Sequence, residues 1–164
     1  MRLVRLRVTA TFAAALLLIS VLLAPGASAQ GKLSGVYKGN GKPAALTQVT
    51  AQKGAPESGK PVTVLVFTTK DQADDPKAGF NALFGNYGDA LVVKVWQDGS
   101  IYSTDVMHAG LNSPNGSVTV FGVMQMKDFK VANGEVSGHL TTDGPKEIQG
   151  QTWEVDLTFQ TKAP

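Results

Sequence analysis

Cysteine is absent from the 164-residue chain, and arginine is absent beyond position 7. Without cysteine the chain has no disulfide, no thiolate metal site and no cysteine nucleophile. Without arginine it lacks the planar side chain that clamps phosphate or carboxylate groups with two hydrogen bonds. Only two histidines, His108 and His139, are available as bases near neutral pH. These absences leave few side chains that could carry catalysis.

The first 29 residues have the pattern of a secretory signal peptide. Three arginines precede an apolar run over residues 12–23, and small residues then lead to Ala29. This pattern predicts cleavage after Ala29, a single exported domain at residues 30–164, and a bacterial periplasmic or extracellular location. No later apolar run approaches the roughly 20 residues that a membrane helix requires. We therefore expect no membrane span in the mature form.

The charge of the mature chain differs from that of the precursor. All three arginines belong to the predicted signal peptide, so 12 lysines remain against 13 aspartates and glutamates. A chain with a net charge of about −1 has no excess of positive charge to attract the phosphate backbone. We therefore expect no nucleic-acid partner.

Glycine and proline interrupt the chain at short intervals, with apolar runs between them, which is typical of all-β domains. Asp98-Gly99 and Asn133-Gly134 favour two-residue hairpin turns, because Asn, Asp and Gly tolerate positive φ. Strands are predicted near residues 33–38, 44–53, 62–69, 90–97, 100–108, 117–127, 135–142 and 152–161. The sequence therefore predicts a mainly β fold, an antiparallel β-sandwich or partly closed barrel of about eight strands.

One segment has a helical period instead. Over residues 76–87, Phe80, Leu83, Phe84 and Tyr87 recur at the spacing of one helix face. Asp75 lies where an N-terminal cap is expected. We predict one short helix whose apolar face packs on the sheet.

The hairpin turn at Asp98-Gly99 sets Asp89 opposite His108 if the pairing continues without interruption. A carboxylate there would orient the imidazole. An ordinary ion pair at the end of a strand is the simpler interpretation, because the sequence shows no nucleophile beside the pair.

The second hairpin suggests a row of three polar side chains. A regular turn at Asn133-Gly134 places Asp128 opposite His139, and matching the apolar faces of the last two strands places Glu154 on its other side. Two carboxylates and one imidazole could hold a divalent cation. Polar outer sheet faces commonly carry such groups, and a bulge would move Asp128 out of line. We therefore expect a solvated row of charges and no metal.

No cofactor is predicted either. Residues 54–60 match most of a phosphate-binding loop, but Pro61 replaces its Ser or Thr and a strand follows instead of a helix. The first hypothesis for function is a non-catalytic envelope or extracellular protein that binds a small molecule or a partner. The second is a structural or interaction domain without a small-molecule site, and the third, disfavoured by the residue inventory, is a secreted hydrolase.

Three observations would separate these hypotheses. A cavity lined by Tyr37, Tyr102, Phe121 and Trp153 would favour small-molecule binding. A flat exposed apolar patch would favour an interaction domain. A cleft joining either histidine to a buried Ser or Asp would favour a hydrolase.

Overall fold

The structure is a computed structural model that describes residues 31–72, 75–112 and 116–164. The predicted signal peptide and its cleavage point after Ala29 lie outside these ranges. No helix in the described ranges is long and apolar enough to cross a membrane.

Eleven strands in the described residues form two antiparallel sheets. Their bounds are β1 Lys32–Gly39, β2 Lys42–Pro43, β3 Gln48–Lys53, β4 Val62–Thr68, β5 Ala90–Trp96, β6 Ile101–Met107, β7 Val118–Val120, β8 Gln125–Ala132, β9 Glu135–Thr141, β10 Lys146–Ile148 and β11 Gln151–Lys162. Sheet A has the order β2-β1-β11-β9-β8, with β10 also paired to β11, and sheet B has the order β3-β4-β5-β6-β7. The long strand β11 therefore lies at the centre of sheet A.

The two sheets pack face to face around one apolar core. Alternate residues of β11, including Trp153, Val155 and Leu157, are buried, as the alternating sequence predicts. Phe159 of β11 meets Phe67 of β4 edge to face, with ring centroids 5.3 Å apart. The sheets do not close into a barrel, so the prediction of a mainly β fold is confirmed in its sandwich form.

The predicted helix is present, but it is shorter and its buried face was wrongly predicted. Helix α1 spans Ala78–Ala82, and its small residues Ala78, Gly79 and Ala82 are the buried ones. A Cβ added at Gly79 would lie 3.2 Å from a Val64 methyl group, which shows how closely α1 approaches sheet B.

The four side chains of the predicted face divide between two environments. Leu83 and Tyr87 pack against the cluster under the helix, whereas Phe80 and Phe84 are 61% and 65% exposed. A helix that lies this close to a sheet has room for methyl groups but not for phenyl rings. The two Phe side chains therefore turn outward, with their centroids 4.9 Å apart.

Both predicted hairpins are present, but the strand pairing in each contains a register shift. Between β5 and β6, Ala90 pairs with Met107 as expected, but a shift at Lys94/Val95 brings Val95 opposite Ile101. Between β8 and β9, a bulge at Asp128 shifts the pairing, so that Lys127 lies opposite His139. A bulge inserts one unpaired residue, and every pair beyond it moves by one.

Candidate functional site

The outer face of sheet A carries an open groove of about 570 Å³, which we call the outer groove. It crosses β1, β11, β9 and β8. Short hydroxyl side chains and longer polar side chains line it. We refer to the hydroxyl residues Ser34, Ser137 and Thr158 as its floor, and to the longer residues Lys32, Asp128, His139 and Gln160 as its rim.

Strand register explains why these residues share one surface. Ser34 pairs with Thr158, and Thr158 pairs with His139 on the next strand, so the three side chains lie in one row. Each is on the wet face of its strand, opposite the core. The described residues provide no hydrogen-bond partner for the hydroxyls of Ser34, Ser137 or Thr158. The floor of the groove therefore offers three hydroxyl groups to water or to a ligand.

His139 is held at the rim by a carboxylate, but not by either predicted one. Its Nε2 lies 2.6 Å from Oδ1 of Asp156, and the imidazole is about one-third exposed. Its other ring nitrogen makes no hydrogen bond to the described residues. The paired carboxylate limits rotation of the ring. The second ring nitrogen remains available for a polar ligand.

The predicted row of Asp128, His139 and Glu154 does not form. Glu154 lies opposite Lys38 at the other end of sheet A, where their side chains make a 3.0 Å ion pair. Strand β10 occupies the start of β11, so β9 pairs farther along it and Thr158 takes the predicted place of Glu154. A slip of an even number of residues keeps every apolar side chain on the same face, so alternation alone could not detect it.

Asp128 stays at the edge of the groove through its bulge. Its backbone has a φ of +54°, a left-handed conformation that Asp tolerates better than most residues. Its neighbour Lys127 bonds Asp143 at 2.8 Å, and this hydrogen bond lowers the pKa of the Asp143 carboxyl. No group of three metal-ligating side chains suitable for a metal ion occurs within the described ranges.

Asp89 and His108 come close together, but no hydrogen bond joins them. The Asp89 carboxylate accepts the backbone N–H of Ala109 at 2.5 Å, while Nδ1 of His108 accepts the N–H of Gly110 at 2.8 Å. His108 is buried rather than exposed at the end of a strand, with 5% of its surface accessible. Burial lowers the pKa of the imidazole, and the Asp89 charge opposes that shift. The two side chains therefore lie close together, as predicted, but the predicted pairing of carboxylate with imidazole is wrong, because each accepts a backbone N–H instead.

The aromatic side chains that would mark an internal binding cavity do not line one together. Tyr37 and Trp153 fill the core, and Phe121 is 65% exposed on a connecting segment. The alternation along β1, β9 and β11 places the hydroxyls of the groove on a wet face. Alternation alone does not show that this face is concave.

Comparisons of this chain with protein-family models, with curated proteins and with solved structures found no match. The function is therefore inferred from the residues and geometry of the two sheets.

Proposed function

We propose that the chain is a non-catalytic binding protein that holds a small polar molecule in the outer groove. The observation that carries this proposal is the concave floor of three unpartnered hydroxyls beside an oriented imidazole. Ligand sites are concave surfaces where a few polar groups converge. The ligand class that matches this floor is a molecule rich in hydroxyl or amide groups.

One further feature supports binding over catalysis. Neither Ser34 nor Ser137 hydrogen-bonds His139, so the groove lacks the coupled nucleophile and base of a serine hydrolase. We also propose that the protein acts after export, on the strength of the signal-peptide pattern.

The proposal predicts where a ligand contacts the protein. Neutral sugars, polyols and free amino acids, titrated separately into isotopically labelled protein, should include a ligand that shifts the amide signals of Ser34, Ser137 and Thr158. Thr158→Trp should abolish those shifts, because the indole fills the groove. Nuclear magnetic resonance measures both effects.

Thr152→Trp is the matched control, since Thr152 is exposed on the same face of β11 about 20 Å away. It should leave the shifts unchanged. Binding of these probes that maps away from the groove, or that survives Thr158→Trp, would exclude the outer groove. No shift with any of these probes would also count against the proposal.

An interaction domain is the second candidate, and one observation favours it. The adjacent rings of Phe80 in α1 and Phe84 just after it form an exposed aromatic pair, which is the kind of apolar surface that marks an interface. The same spectra distinguish the two candidates. Changes confined to residues around α1 as the protein concentration rises would indicate association through this pair.

A further inference from the structure

A short loop closes one end of the sandwich next to β6. After β6, His108 contacts the ring of Tyr37 with centroids 4.9 Å apart, and Leu111 belongs to the same buried cluster as Tyr37. Two glycines make this approach possible. A Cβ at Gly39 would lie 2.7 Å from Nδ1 of His108, and a Cβ at Gly110 would lie 2.4 Å from the Gly39 carbonyl oxygen.

The hydrogen bond to His108 fixes its protonation state. Nδ1 accepts the N–H of Gly110, so in the neutral ring the proton is on Nε2. Nε2 is buried and has no hydrogen-bond partner among the described residues. An imidazolium would direct a second N–H at the N–H of Gly110. The closed loop is therefore compatible with neutral histidine and not with the charged form.

Groups from each neighbouring element act on this imidazole. Asp89, just before β5, and the backbone carbonyl of Lys42 favour the charged ring, whereas the Lys42 ammonium opposes it. Tyr37 of β1 stays neutral, because burial raises the pKa of its hydroxyl. Burial is the largest influence on His108, and its pKa is lowered from the ordinary 6.5.

The other bonds that hold the loop are exposed. Asn40 donates to the carbonyl of Gly110 at 3.0 Å, Gln151 donates to the carbonyl of Asn112 at 3.0 Å, and Ala109 donates its N–H to the Asp89 carboxylate at 2.5 Å. Water can replace the two neutral exposed bonds at little cost, and the bond to Asp89 holds only Ala109, next to His108. The bond to His108 is the partly buried one, and it is the one that a proton removes.

We propose that His108 is a proton-operated latch: the neutral ring holds residues 108–112 over Tyr37, and protonation of the ring releases them. Release exposes the face of Tyr37 and the side chain of Leu111, which is otherwise buried. The two-state element is the loop, and its closed state excludes one proton that its open state binds.

Amide hydrogen exchange across pH 5 to 8 tests the latch. Protection factors of Gly110 and Leu111, corrected for the exchange rate of unstructured peptide at each pH, should fall as pH falls below about 6.5. The fall should approach tenfold per pH unit until His108 titrates in the closed state, because opening takes up one proton.

His108→Gln separates a latch from general acid loosening. Its side-chain oxygen can accept the Gly110 N–H but does not titrate, so protection should become independent of pH. His139→Gln is the matched control and should retain the pH dependence. Protection that stays constant in the original protein while His108 titrates, or pH dependence that persists in His108→Gln, would overturn the latch.

If His108→Gln does not fold, the titration of the two histidine rings in the original protein decides the question. Loop protection should then follow the His108 signal and not the His139 signal. Protection that followed His139, or neither ring, would refute the latch.

Discussion

A buried tyrosine hydroxyl connects sheet A to the β5–β6 hairpin of sheet B. Tyr37 belongs to β1 of sheet A, yet its hydroxyl lies 2.9 Å from the carbonyl oxygens of Ala90 and Met107 in sheet B. The hydroxyl has one proton, so it donates to one carbonyl at a time. Tyr37 is 1% exposed, and water cannot replace it at those carbonyls. The contact therefore fixes the position of sheet A against the β5–β6 hairpin.

Tyr37→Phe should lower the free energy of unfolding by about 1–3 kcal/mol, because it leaves buried carbonyl oxygens without this donor. Urea denaturation with an unchanged slope would measure the loss. Tyr102→Phe is the control, since the Tyr102 hydroxyl makes no hydrogen bond to the described residues. Equal effects of the two substitutions would show that the Tyr37 hydroxyl does not join the sheets.

Helix α1 is attached through its small residues. Phe84→Ala should change the free energy of unfolding by less than about 0.5 kcal/mol, because its ring is mostly exposed. Ala82→Leu should cost about 1–3 kcal/mol, because the larger side chain meets sheet B. Thermal or urea unfolding measures both. A large loss from Phe84→Ala would mean that the ring packs on the sheet, as the sequence pattern alone suggested.

Hydrophobic alternation predicted the sandwich and most of its strands, because a side chain's face depends only on odd or even position along a strand. It could not predict the bulge at Asp128 or the pairing of Thr158 with His139. Both depend on neighbouring strands, and the sequence around β10 gave no strong strand signal. The sequence therefore did not predict the groove, although it did indicate His139 and Asp128, at the rim of the groove, as candidate site residues.

Lowering the pH reduces the stability of the whole molecule through two kinds of group, a carboxylate and a buried histidine. Hydrogen bonds from Tyr87, Asn81 and the Lys77 backbone lower the pKa of Asp75 below its ordinary 3.8. The stability from such a carboxylate is present above pH 3.8 and is lost as pH falls through the folded-state pKa. The lowered pKa of His108 acts at higher pH, so its contribution is present above 6.5 and declines below that value.

The free energy of unfolding should therefore fall in two separate pH ranges, one beginning near pH 6.5 and one below pH 3.8. Urea denaturation at a series of pH values measures both. Asp75→Asn should reduce the lower step and leave the upper one. Glu147→Gln should leave both, because Glu147 is exposed and makes no ion pair in the described residues. A lower step of unchanged size in Asp75→Asn would exclude Asp75 as its source.

The central place of β11 in sheet A also sets an order of assembly. Sheet B consists of strands that follow one another along the chain, so each new hairpin can add to the last. Strands β1 and β9, in contrast, both need β11, which is synthesised after every other strand of the sandwich. Contacts between distant parts of a chain close slowly, since loop entropy must be lost before they form. Sheet B can therefore pair its strands one after another along the chain, whereas β1 can pair with its main partner only when the far end of the chain reaches it.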